Sequence, residues 1–458
     1  MAGAVRSRWL LGTLLAAGCS GDPRVITIEV TPGHEGDAFS REPALVRIDV
    51  TASSPEGDLS LAASSAPGGS FDLGEVPEDR MLHVEVGGFD ATQALRLRGR
   101  SLDVLMGGLL GDVLPVFAQR LDGWARPPGE LRHSHVGGVA AVLGERYLLL
   151  TGGKGLGTEG EVDERAAAYY DLLALGGAQG GTLPRAAASL PVTGGGSVAL
   201  LIDAEGATWL DFQSGAETGQ EPPSGLAGFG ELAGGQVVPG PDGASFVVGA
   251  TRPDAPSDAV LAIDAQGGLS VARLAHARQG AAAAWVPDHG LAVAGGSSEA
   301  PGLEILPEGA SITVEPPFPP DATRGAAAVA LPAGKLALLG GSLDGAAPPA
   351  RLLDPGCTAD CAPQIVGDPP ADVALRDCRG FAAAGMKALI VCAELPPDGL
   401  CRTFAVDLAA AAVAELVLRE PRRGATALAA PNGMLAIVGG EHPDGSPALT
   451  VEMLVPGQ

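Results

Sequence analysis

The chain has 458 residues, of which 68 are Gly and 38 are Pro, and its formal net charge is −25. So many backbone punctuators exclude a mostly helical protein, and an apolar share of 46% excludes disorder. The acidic field, with Lys154, Lys335 and Lys387 as the only lysines, argues against nucleic acid and against electrostatic attachment to anionic lipid.

The N-terminus carries Arg6 and Arg8, an apolar run from Trp9 to Ala17, and then Gly18-Cys19. The run is too short to span a bilayer, so residues 1–18 are expected to be a signal peptide. Leu14-Leu15-Ala16-Ala17-Gly18-Cys19 resembles the lipobox of bacterial lipoproteins, although Ala16 stands where Leu is usual. The resemblance implies lipidation at Cys19, and Ser20 in place of Asp favours the outer membrane.

Residues 19–112 are expected to form a small β-sandwich-like module. Val46, Ile48 and Val50 alternate with Arg47 and Asp49, and Leu82, Val84 and Val86 with His83 and Glu85. Turn residues such as Thr31-Pro32-Gly33 separate these runs.

From residue 113 to 458 the sequence repeats. A hydrophobic strand ends in Gly-Gly at Gly152, Gly295, Gly340 and Gly439, and weaker copies end at Asp203, Gly249 and Cys392. The period of about 46 residues holds four short strands, the length of a propeller blade. Arginines open the upstream strand at Arg132, Arg185, Arg278, Arg324, Arg379 and Arg423, usually before small apolar residues. This alternation of arginine, small apolar strand, hydrophobic strand and Gly-Gly resembles the kelch repeat. The fold expected is therefore all-β, a seven-bladed kelch-like β-propeller, with six or eight blades as the alternatives. The last copy has room for three strands, so Val116 to Trp124 is expected to supply the fourth and close the ring.

Five cysteines follow Cys19, all between Cys357 and Cys401. Export favours disulfides. The expected pairs are Cys357 with Cys361 and Cys392 with Cys401, with Cys378–Cys392 as the rival; no metal site is expected, since no histidine lies in that stretch.

Catalytic constellations are scarce. Resemblance to the copper radical oxidases of the kelch group would require scattered tyrosines, whereas Tyr147, Tyr169 and Tyr170 share one repeat. His133 and His135 form a His-x-His pair expected to be structural. Gly152 to Gly157 lacks the helix that a phosphate loop requires. The six arginines, if equivalent, would make an anion-binding ring; the simpler expectation is that each pairs with a neighbouring carboxylate or carbonyl. The combined expectation is a monomeric, non-enzymatic envelope lipoprotein without a cofactor, recognising a protein or glycan through one propeller face. A carbohydrate-active hydrolase or oxidase is the alternative, to be distinguished by carboxylates converging in the central channel.

Overall fold

Strand-period alternation governs the chain, and the computed structural model, which describes residues 24–109, 111–395 and 399–456, is all-β with short 3-10 turns. The signal peptide and Cys19 lie outside the described residues.

The N-terminal unit is one nearly closed sheet. Its strands run in the order Ser60–Ser65, Leu45–Ser53, Met81–Asp90, Leu95–Arg100, Val113–Arg120, Arg24–Thr31 and Phe71–Val76. The two outer strands come back against each other, so the sheet wraps around Ile26, Ile48, Val50, Leu82, Val84, Leu97 and Leu114. One inward residue in two is enough to fill such a core, which is why the alternation was legible.

Val113–Arg120 corrects two expectations. It pairs antiparallel with Leu95–Arg100 and parallel with Arg24–Thr31, so the N-terminal sheet extends to Arg120 and this segment does not close the propeller. Both of its edges are already satisfied, and Leu114, Val116 and Ala118 are buried in the N-terminal core. Closure falls just downstream. Trp124 enters the core of the last sheet beside Leu435, Ile437 and Leu454 and donates its indole N–H to Thr403 Oγ1 at 2.8 Å. Ala125 exchanges both backbone hydrogen bonds with Met453, at 3.0 and 2.8 Å, and the Leu131 N–H donates to the Leu449 carbonyl. Arg126 then clamps the junction, reaching Glu35 at 3.0 Å and Glu420 at 2.7 Å.

The remaining sheets are antiparallel meanders that follow one another along the chain, at 139–178, 198–220, 236–278, 282–306, 327–365, 375–415 and 426–454. A small accessory sheet of Ser134–Val136, Lys154–Gly157 and Gly160–Val162 rides on the first. Apolar residues of each sheet pack on the next: Leu149 with Leu201, Leu200 with Leu261, Val293 with Val248, Leu338 with Leu303, Ile390 with Leu339, and Leu389 with Leu435. The circuit is completed by Leu148 and Leu150 of the first sheet against Ala436 and Val438 of the last. Backbone hydrogen bonds trace the same circle near its axis, from Gly280 to Arg252, Gly325 to Gly280, Cys378 to Gly325 and Gly137 to Gly424. The arrangement is a β-propeller.

The Gly-Gly pairs act as the joints. A Cβ on the first glycine would strike the following sheet: Gly152 abuts the Ala187 carbonyl, Gly295 that of Thr323, and Gly439 that of His135, the last contact closing the circle. The second glycine meets its own sheet, as Gly440 meets the Arg423 carbonyl. Alanine is a poor strand former, yet it dominates the inner strands Ala282–Val286 and Ala327–Leu331. Strands that converge on an axis leave little room for larger side chains, and that constraint overrides propensity.

Candidate functional site

The inner strands enclose an axial channel of about 690 Å³. Its wall is built of Val139 to Val142, Val237, Val238, Ala283, Ala284, Ala327 to Ala330 and Ala427 to Ala429, with Trp285 and Phe381 as its aromatics. Among the described residues Arg379 is the one charged side chain that lines it. The channel opens into a wider mouth of about 870 Å³, where Arg376, Arg379, Arg423, Asp254, Asp377 and Glu164 supply the charge. Asp254 is engaged by Arg252 at 2.8 Å, and Asp377 lies 3.8 Å from Arg376.

The six arginines do not form one ring. Arg132 and Arg324 are exposed. Arg185 pairs with Asp203 at 2.8 Å. Arg278 is fully buried, its Nε donating to Glu304 at 2.8 Å and its other nitrogens to the carbonyls of Gly295 and Pro301. Only Arg379 and Arg423 come together at the mouth. The physical reason is register. The position that truly repeats is the one whose side chain holds the carbonyl of the first glycine, 17 residues ahead in each case: His135 on Gly152, Arg278 on Gly295 and Arg422 on Gly439. Arg422, not Arg423, is therefore the counterpart of Arg278, and it too is buried against a glutamate, Glu452, at 3.1 Å. Counting back from the glycines, instead of forward from each strand's start, reveals that register.

Cys357 and Cys361 are bonded across their turn. The second bond is Cys378–Cys392, and the expected Cys392–Cys401 pair is corrected. Cys392 lies opposite Arg402 and Cys401 opposite Ala393, so the two thiols point to opposite faces of one hairpin. Cys378, at a bulge of the adjoining strand, has its Cα 4.1 Å from that of Cys392. Cys401 keeps a free thiol that burial pushes up to about 12, which holds it protonated and poorly nucleophilic. Among the described residues no group of three or more His, Cys, Asp or Glu is placed to hold a metal ion.

His135 is buried with its Nδ1–H donating to the Gly152 carbonyl at 2.7 Å, while Nε2 has no partner. Burial, helped by His133 nearby, lowers its pKa to about 4. Unfolded chains take up that proton near pH 6.5, so in the window from 6.5 down to about 4 the unfolded state binds more protons and stability falls with pH. The expected loss approaches about 3 kcal/mol by pH 4 and is absent above 6.5. Urea midpoints at pH 7 and 4.5 for the parent and His135→Gln test this: the acid loss should be smaller in the variant, and an equal loss in both removes His135 as its source. Arg379 is also under pressure, since burial lowers its pKa against the pull of Asp377.

No protein-family description and no curated protein sequence matches the chain. Among solved structures, the chain is similar to the hydrazine synthase of Kuenenia stuttgartiensis, at 16% identity and a TM-score of 0.36, over 55% of this chain and 73% of that one. It is also similar to TolB from Acinetobacter baumannii, at 11% identity and a TM-score of 0.37, over 74% of this chain and 77% of that one. At these distances neither likeness bears on what the chain does.

Proposed function

We propose that the protein is a non-catalytic recognition module of the cell envelope, a kelch-like propeller of seven blades held to the outer membrane by lipid on Cys19, which binds a protein or glycan over the channel-mouth face. One observation carries the reading. Glycosidic hydrolysis calls for two facing carboxylates, whereas among the described residues the channel lining is mostly small and apolar with Arg379 as its one charged residue, and of the acids at the mouth Asp254 is engaged by Arg252 and Asp377 lies near Arg376. A wide, partly apolar mouth with a few polar groups suits binding instead. The seven meander sheets and the joint glycines agree with the kelch-like repeat, and the sequence around Cys19 agrees with the anchor.

The test is capture from envelope extracts, beside a glycan array, with the parent and with a variant whose mouth is altered at Glu164 and Asp254. A partner or glycan held by the parent and lost in the variant is the expected result; equal capture by both removes the mouth face. In the same preparations Cys19→Ser should leave the membrane fraction and lose the mass of the lipid. Retention at unchanged mass would overturn the anchor.

A further inference from the structure

A charged group away from water is costly unless a partner neutralises it. Three of the buried arginines have a carboxylate for that purpose, Arg278 facing Glu304, Arg422 facing Glu452 and Arg351 facing Asp321, while a fourth, Arg120, is held by the Ala38 and Pro43 carbonyls. Arg379 and Arg423 are less closely paired: both are half-buried, among the described residues neither makes a salt bridge or a side-chain hydrogen bond, Asp377 acts on Arg379 only from farther away, and Arg423 Nε is buried without a partner. The two arise on neighbouring sheets. Arg379 lies on the inner strand Leu375–Ala382, where it lines both the channel and the mouth, and Arg423 precedes Thr426–Ala429 and lines the mouth. Two half-buried guanidinium groups thus line one mouth at the end of an apolar tube, in a protein of net charge −25.

We propose that the mouth binds an organic monocarboxylate, with Arg379 and Arg423 holding its carboxylate and the alanine-walled channel taking its apolar body. The inference rests on the recognition reading of this face and names its ligand class. The planar guanidinium fork matches a carboxylate, and low-dielectric walls strengthen the pairing. The channel's volume of about 690 Å³ lies in the range of small-molecule sites. Glu164, Asp254 and Asp377 at the rim disfavour a phosphate or a dicarboxylate, whose extra charge they would repel.

The experiment is a calorimetric titration of the whole protein with straight-chain carboxylates from butanoate to decanoate, beside the matching alcohols and inorganic phosphate. Carboxylates should bind, tightening about three- to fourfold per added methylene until the channel is full. Alcohols should bind at least tenfold more weakly, and Arg379→Gln and Arg423→Gln should each lose at least tenfold with unaltered melting. Ala284→Leu narrows the channel while keeping both arginines, and should flatten the dependence on chain length. No carboxylate binding, phosphate binding as tight as decanoate, or an affinity indifferent to Arg379→Gln would each overturn the assignment. If envelope capture persists while carboxylates fail, the ligand class falls and the recognition reading stands; if the mouth variant also captures as well as the parent, both fall.

Discussion

Glu304→Ala should destabilise the protein by about 3–5 kcal/mol, because it strands Arg278 as an uncompensated charge in the core. Both side chains are fully buried, and the loss would also orphan the Ala275 N–H, which donates to Glu304 Oε1 at 2.7 Å. Glu452→Ala should behave alike, since that carboxylate receives Arg422 and the backbone N–H groups of Arg419 and Glu420. The exposed pair Arg165–Asp163 supplies the contrast. It is as short, at 2.7 Å, yet water screens it, so Asp163→Ala should cost far less than either buried-pair variant. Urea denaturation of the three variants decides the matter. A Glu304→Ala midpoint no lower than that of Asp163→Ala would mean that the buried pair contributes nothing. The double change Arg278→Met with Glu304→Leu should recover part of the loss, since it removes both charges and keeps the volume but leaves the Ala275 N–H and the carbonyls of Gly295 and Pro301 without these partners.

Gly152→Ala should cost more than about 3 kcal/mol. The residue has a φ of +72°, and an added Cβ would stand 2.0 Å from the Ala187 carbonyl, so the first and second sheets would have to part. Left-handed strain alone accounts for about 1–2 kcal/mol. Gly57 isolates that share: its φ is +74°, but nothing lies within 4 Å of the added atom, so Gly57→Ala should show the strain without the clash. Comparable melting losses at the two positions would deny the glycine its part in joining the sheets.

Much of this design was legible. The Gly-Gly endings announced the repeat because each is needed twice over, once for the neighbouring sheet and once for its own. The alternation of Leu82, Val84 and Val86 announced a one-sided strand because its other face meets water. What misled was equally physical. Val113–Arg120 stands just upstream of the first copy, where a closing strand belongs, but place along the chain does not say which sheet takes the strand, and this one is sandwiched between two strands of the N-terminal sheet and buried throughout from Val116 to Arg120. Arg423 stands one residue from Arg422, yet one is a channel-mouth group and the other a buried ion pair. Cys392 and Cys401 sit on one hairpin, but a single step of register turned their thiols apart. Of the mouth, the arginines were visible and their company was not, because the residues around them come from sheets far apart in the chain.

The closure through Trp124 and Ala125 sets an order of events during biogenesis. Trp124 meets Thr403 across 279 residues of sequence, and Ala125 waits for Met453. A ribosome delivers the early partner long before the late one, so the open ring persists until synthesis has passed Met453. Contacts of such long range are slow to form and leave unpaired edges exposed in the meantime. The local hairpins of each sheet can pair as they are made, whereas closure of the ring is expected to come last.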